Sequence, residues 1–535
     1  MLARETVANW TLACVITFAC LVGGMWSSAM AEEGSGTRIT ILHTCDFHGR
    51  HLPFEVAPGD ATSQTGTPRQ PANTFRRAGR IGGFAALAGA VERFRQKRGS
   101  EHILLLHAGD TFSDDLLGNL TRGEAIIRMM NATGYDFAAL GNHDFDYGFD
   151  QTRRLHEVAD FPLRAANVID EETQSSLFGE PFRLFERGGV IVGVLALGYH
   201  NTHETTAPKN VKGLSFTSGI EAARQYVPQL RKQADIVVVV SHQGTAVDKR
   251  LAREVAGIDL IVGGHSHDRL EPALEVESTT IVQVMSDTVA LGEVRIDVQD
   301  GKVVAIEDEL HMLWEDQFHD ETMAGLIAEI RRPYRETLET VVGEAATAIA
   351  REYKQESPFD TLVADLLRQR TNAEVALLPG VGYGVTLRKG EVTREQLYAL
   401  LPHPVKLATL ELSGQQIHET LEQSATNLRA ADPSQRVGGL IQTAGMTWTV
   451  DFTRPEGERV RDIRVAGAPL DSNRRYRVAT HSGMLQGIHR YDQLSKGMDV
   501  QVKDEKVIDI LEEHFRKSSP VSPPDSPQVT VIDAM

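Results

Sequence analysis

Cysteine is almost missing from this chain. Among 535 residues only Cys14, Cys20 and Cys45 occur, and the first two lie in an N-terminal apolar segment. A chain left with Cys45 alone forms no internal disulfide and no thiolate zinc site, which removes the disulfide scaffolds and zinc-ribbon classes. Positive charge is scarce as well: 55 Lys and Arg stand against 73 Asp and Glu, a formal charge of −18. Such an acidic balance argues against nucleic-acid binding, so an anionic substrate has to be drawn in by local cations. The apolar run Trp10 to Trp26 falls short of the ~20 residues of a spanning helix. With Arg4 before it and Ser27-Ser28-Ala29-Met30-Ala31 after it, the run has the plan of a cleaved signal peptide, residues 1–31. The expectation is an exported protein, periplasmic or extracellular, that begins at Glu32 and keeps no stable membrane anchor. Arg4 and Glu5 cancel, so cleavage leaves the charge unchanged.

What is present is a globular composition, 41% apolar and 24% charged, over a length that suits two to four domains. From Arg38 to about Glu309 short β-branched runs alternate with helical stretches, as sheets built from strand–helix units do. Five runs matter: Ile39 to Leu42, Ile103 to Leu106, Phe137 to Leu140, Ile236 to Val240, and Leu260 to Val262. The Pro-, Gly- and Thr-rich stretch from Pro53 to Thr74 reads as a long loop, either a passive insertion or a lid. Around Glu321 to Leu338 the apolar spacing of Leu326, Ile327, Ile330 and Tyr334 predicts a linking helix, within 316–340. A second mixed α/β region follows over 341–517, with a helix near Thr361 to Arg370 and strands near Ala408 to Leu412 and Met446 to Val450. The tail, 518–535, has four prolines by Gln528 and reads as extended and poorly ordered.

Each of the five runs ends in a polar cluster. The first gives Asp46 and His48, the second Asp110, and the third Asn142, His143, Asp144 and Asp146; the fourth gives His242, and the fifth His265 and His267. Ligands of open α/β sheets bind beyond the carboxyl ends of strands. Taken singly, an Asp-x-His after a strand is an ordinary turn, and a lone histidine after four valines is ambiguous. Five in succession point instead to one crevice lined by carboxylates, imidazoles and a carboxamide, a donor set for hard or borderline divalent metals. So many ligands exceed the needs of one cation. Two cations about 3.5–4 Å apart acidify a shared water and clamp phosphoryl oxygens during in-line attack.

These blocks, Asp46-Phe47-His48, Gly109-Asp110, Gly141-Asn142-His143-Asp144, His242 and Gly264-His265-Ser266-His267, resemble the calcineurin-like metallophosphoesterases, and among them the 5′-nucleotidases. The resemblance implies a four-layer N-terminal sandwich of mixed β-sheets flanked by helices, over 32–315, and a second α/β domain of 5′-nucleotidase type. It implies two divalent ions, Mn, Zn, Co or Fe, one on Asp46, His48 and His267, the other on Asn142, His242 and His265, with Asp110 shared. It also implies that His143, oriented by Asp146, serves the leaving group. His267 stands where the family often has glutamine, which bears on metal preference rather than on metal binding. Cys45, His43, His51 and His107 read as packing or supporting residues.

In the second region Pro358-Phe359-Asp360-Thr361-Leu362-Val363-Ala364-Asp365 and Leu410-Glu411 through Leu421-Glu422 are similar to the family's C-terminal domain, which holds a nucleotide with arginines and two aromatic rings. Here Gly384 takes the place of the arginine, and Pro402-His403-Pro404-Val405 replaces one ring by imidazole. Gly483 falls near the position of the other ring. Tyr383, His403 and Arg490 are the remaining candidates for substrate contact. The expected substrate is a small phosphorylated compound, nucleotide-like, cleaved as a phosphomonoester. Pro379 to Gly384, with Asn427-Leu428 and Arg436-Val437-Gly438-Gly439, also resembles the thiosulfohydrolases, so S-sulfonate hydrolysis is the alternative. A silent exported binding protein with structural metals is the third reading, and metal-dependent turnover discriminates it.

Overall fold

The computed structural model describes residues 36–60, 74–113, 115–381, 384–525 and 527–533. The signal segment, most of the 53–74 loop and Tyr383 lie outside the described residues. The described residues from Gly36 onward form one compact unit. No helix among the described residues is long and apolar enough to cross a membrane.

The first half is a four-layer sandwich. One sheet has the order Leu214–Phe216, Leu163–Asp170, Phe137–Ala139, Ile103–His107, Thr37–Thr44, Ala290–Gln299, Lys302–Met312. The other runs Leu274–Val276, Thr279–Val282, Leu260–Gly263, Ile236–Ser241, Val190–Leu197, Phe182–Arg187. Strand periodicity explains the layering, because alternate side chains point to opposite faces. Ile236, Val238 and Val240 meet Leu104, Leu106, Ile39 and Ile41 between the sheets. Val237 and Val239 face helices Gly219–Leu230 and Thr245–Glu254 on the outside. Leu42 and Leu105 face helices Phe84–Arg98 and Glu124–Thr133 on the other flank. The central strands of both sheets are parallel, so their carboxyl ends lie together at the inter-sheet edge.

The stretch expected as one linking helix is broken. Helix Glu321–Arg331 ends in a tight turn at Arg332–Tyr334 and resumes as Arg335–Glu339, because Pro333 has no N–H to continue the ladder. Met323, Ile327 and Ile330 are buried in the first half's own core, so this segment packs as part of it.

The second half holds a five-stranded sheet, Gly439–Ala444, Val375–Gly380, Arg475–His481, Lys406–Ser413, Met498–Lys506, and a smaller sheet around Met446–Asp451. Helices Pro358–Thr371 and Gly414–Arg429 cover opposite faces of the larger sheet. Both helices start as their sequences dictate. Ser357 caps one at Asp360 N–H, with Pro358 at the first helical position, and Ser413 with Gln416 forms a capping box on the other.

The proline-rich tail is extended but not loose. Val521 is buried, and its N–H and C=O bond Glu344 and Ala346. Val529–Ile532 then adds in parallel to Met446–Asp451. Paired backbone groups order a segment whose side-chain composition alone suggests none.

Candidate metal centre and its cavity

The loops that leave the parallel strands are tied to each other before any side chain is considered. Asp46 N–H bonds Gly109 C=O at 2.9 Å, and His48 N–H bonds Asp110 C=O at 3.2 Å. Asp144, which sequence reasoning gave no role, fastens two segments: its carboxylate accepts from Asp110 N–H (3.1 Å) and Thr111 N–H (2.8 Å) on one loop and from Gly141 N–H (2.7 Å) on its own. Close approach here needs glycine, since a Cβ on Gly141 would lie 2.2 Å from Asp110 Oδ1.

Five donor-bearing residues, Asp46, His48, Asp110, His265 and His267, sit at positive φ between 47° and 71°. Left-handed backbone costs a non-glycine residue roughly 1–2 kcal/mol. Clustering of that strain at one site is the mark of a functional constellation held by its surroundings.

The side chains converge. His267 Nε2 lies 3.0 Å from Asp46 Oδ1 and 3.1 Å from His48 Nε2. His242 Nδ1 donates to Ala108 C=O, which turns Nε2 inward to 3.0 Å from Asp110 Oδ2. Asp46, His48, Asp110 and His267 form one group of possible ligands, and Asp110, His242 and His265 a second that shares Asp110. Among the described residues buried Asn142 Oδ1 has no hydrogen-bond partner, and His242 Nε2 has none beyond its approach to Asp110. Donors roughly 2.0–2.2 Å from a common ion stand about 3 Å apart along the edges of its coordination shell. The spacings and the orphaned donor atoms therefore fit a pair of divalent cations.

The carboxylates of that donor set are held ionised, and against the effect of burial Asp110 and Asp46 raise His242 to about 9. Burial raises the Asp46 carboxyl, but His267 and His242 outweigh it and hold it at about 2. Asp110 is likewise buried yet held well below the usual carboxylate range by His242 and His143. Burial lowers His265, which keeps a ligand nitrogen unprotonated. Tyr199 stacks on that ring, with centroids 3.8 Å apart.

His143 stands at the rim. Its N–H bonds Asp110 Oδ1 at 2.8 Å, and its Nδ1 meets Asp146 Oδ2 at 2.7 Å. Asp146 also accepts from Ser113 Oγ at 3.1 Å, so it orients an imidazole and does not cap a helix. Opposite is His403, whose loop is fixed by Asn119 Nδ2 donating to Pro402 C=O at 2.8 Å. Together they line a cavity of about 340 Å³ that His48, Asn142, His265 and His267 close from one side, and His481, Gly483 and His489 from the other.

Other candidates fall elsewhere. Arg490 is held by Glu204 and Gln435 C=O and does not line this cavity. Cys45 donates to Met285 C=O inside the core. His107 stacks on Phe47 and meets Thr44 Oγ1 at 3.0 Å, while His51 joins Asp115, Arg331 and Glu395 in a buried network between the two halves. His481, His489 and Tyr199 were missed by sequence reading, for an isolated histidine or tyrosine carries no spacing signal.

A calcineurin-like phosphoesterase model matches residues 39–269, and a model of the 5′-nucleotidase C-terminal domain matches residues 337–496. The chain belongs to the calcineurin-like phosphoesterases of 5′-nucleotidase type. Members of this family are phosphoester hydrolases, and calcineurin-like phosphoesterases use a dinuclear metal centre. The trifunctional nucleotide phosphoesterase YfkN of Bacillus subtilis is 28% identical over 79% of this phosphoesterase, which spans about a third of that protein, 32%. Among solved structures, the sulfate thiohydrolase SoxB of Thermus thermophilus superposes with a TM-score of 0.83 at 25% identity, covering 93% of this chain and 97% of SoxB. A 5′-nucleotidase precursor from the same bacterium gives 0.83 at 24% identity, covering 93% and 100%.

Proposed function

We propose that this exported phosphoesterase hydrolyses phosphomonoesters of small molecules, nucleotides or related compounds, with two divalent ions. Asp46, His48 and His267 would hold one ion, Asn142, His242 and His265 the other, and Asp110 both. A bound pair supplies Lewis-acid polarisation of the phosphoryl group and acidification of water. The protein's own residues do the rest. His143, with Nδ1 committed to Asp146, presents its other nitrogen to the leaving oxygen and delivers a proton there. Asp146 fixes the tautomer and raises the basicity of the ring. Asp144 keeps Asp110 and Asn142 in register through the backbone bonds it accepts.

The observation that carries this reading is the His143–Asp146 bond of 2.7 Å at the rim of the donor cluster, because a metal site that only stabilised the fold would need no oriented acid beside it. S-sulfonate hydrolysis is the second reading, supported by the SoxB likeness. One experiment separates them. Purified protein refilled with Mn²⁺, Zn²⁺ or Co²⁺ is assayed against nucleotides, sugar phosphates, phosphodiesters and a protein S-sulfonate; faster turnover of the S-sulfonate than of any phosphomonoester overturns the first reading. No metal-dependent turnover of any substrate favours a binding protein.

A further inference from the structure

A second cavity, of about 490 Å³, lies on the other side of His265. His265, Tyr353 and Gly438 line both it and the metal-centre cavity, so the two compartments meet at a metal-site residue. Its charge is unlike the rest of the protein. Arg429 is taken up by Asp533 and stacks on Phe452. Lys354 has no hydrogen bond or ion pair among the described residues, and its ammonium stands 5.9 Å from the Tyr353 ring centroid. Arg436, at the solvent side, gives one N–H to Ala430 C=O at 3.2 Å and has no carboxylate partner among the described residues. Asp268 is the one remaining carboxylate in the wall. Two uncommitted cations against one anion leave a local positive surplus in a chain of charge −18.

The cations are carried on segments locked to one another. Leu440 N–H bonds Tyr353 C=O at 3.1 Å, and a Cβ on Gly439 would lie 2.2 Å from that oxygen. Gln442 Nε2 donates to Gln355 C=O at 2.9 Å. From the first half, Tyr199 Oη donates to Arg436 C=O at 3.2 Å and Asn201 Nδ2 to Ser434 C=O at 2.8 Å. Val531 and Asp533 of the tail complete the wall. A cation held without its partner, in a cavity already shaped, is preorganised for an anion from outside.

We propose that this compartment receives the far end of the substrate, a second anionic group, phosphate or carboxylate, borne by the alcohol portion of the phosphoester and held by Lys354 and Arg436. The inference rests on the phosphomonoesterase reading and moves specificity from a nucleobase to a second charge. A charged hydrogen bond contributes enough that losing one lowers affinity by about 10-fold.

The test uses α,ω-alkanediol bisphosphates of four to eight carbons, the matching monophosphates, and ω-carboxyalkyl phosphates, with metal-loaded protein. At least one chain length of the doubly charged series should show a KM about 10-fold or more below its monophosphate, at similar kcat, and the carboxylate series tells which anion is favoured. Lys354→Met and Arg436→Gln should each remove that advantage without changing turnover of the monophosphate, and Lys354→Arg should retain it. Equal KM values in the wild type at every length, or an advantage that survives both substitutions, overturns the proposal. Failure to hydrolyse any phosphomonoester would strike the proposed function instead. In that event calorimetry with alkane-α,ω-bisphosphonates still reports on the cavity: binding weakened in Lys354→Met supports an anion site, and binding unchanged there and in Arg436→Gln refutes it.

Discussion

His143 and His403 face each other across the cavity with their ring planes 8° apart and their centroids separated by 6.0 Å. A flat base between two rings needs about 7 Å, twice the ~3.5 Å contact distance of carbon atoms. The gap between these two rings therefore admits no nucleobase. Gly483, which also lines the cavity, stands at the expected position of the second ring and offers no face for stacking.

Base identity should accordingly matter little. Stacking on aromatic side chains is worth roughly 1–3 kcal/mol per base. Without it, kcat/KM for nucleoside monophosphates should lie within about 10-fold of that for simple sugar phosphates. A nucleotide preference above about 100-fold in a side-by-side assay would mean that Tyr383 or another residue rebuilds the pocket.

Asp110→Ala should take away the carboxylate common to both donor groups. Metal content measured by elemental analysis should fall below two ions per chain, and activity should collapse. Two full equivalents retained in the variant would contradict the shared role.

His143→Ala should keep both ions yet slow turnover by roughly 10²–10⁴-fold. The loss should shrink for p-nitrophenyl phosphate, whose leaving group needs no proton. An equal loss for an alkyl phosphate and for p-nitrophenyl phosphate argues against proton delivery by His143.

Tyr199 holds the His265 ring by a face contact and the Arg436 segment by its hydroxyl. Tyr199→Ala should weaken binding of one ion by about 10–100-fold, the scale seen when groups behind a ligand are removed. Tyr199→Phe keeps the stack and should bind metal normally. Competition with a chromogenic chelator measures both; identical affinities in the two variants would rule out positioning through the ring.

Stability should fall on acidification from a source apart from the metals. His43 is fully buried, its Nδ1 has no partner among the described residues, and burial lowers it from 6.5 to about 3. The unfolded chain takes up that proton below about 6.5 whereas the folded one does not until about 3, so stability declines as pH falls through that window. The His481 ring, lowered to about 3 by burial with His403 and His489 beside it, acts in the same direction. His43→Gln should show a shallower fall of the urea midpoint between pH 6.5 and 4.5. A slope as steep as the wild type's would assign the acid sensitivity elsewhere.

Much was legible from the order of residues, for local reasons. A strand of period two announces itself, and a polar cluster straight after it must emerge at the strand's carboxyl end. Asp46, His48, Asp110, Asn142, His242, His265 and His267 could therefore be placed at one edge from sequence. Glycines at 109, 141 and 264 stood beside them because backbone segments approach there too closely for a Cβ. Asp144 stood in the same cluster, but its three backbone acceptances come from segments more than thirty positions apart or a turn away, and spacing cannot express that.

The sequence by itself determined the sandwich, the donor set and the broad chemistry, since each is written in short-range pattern. Tertiary structure alone decided which cations remain uncommitted. Arg490 and Lys354 look alike in sequence, yet folding brings Glu204 to the first and, among the described residues, no carboxylate into bonding reach of the second. It also decided that the tail is ordered and that His403 faces His143. Such facts depend on which distant segments meet, and the free energy of a charge in a cavity is fixed by those neighbours, not by its place in the chain.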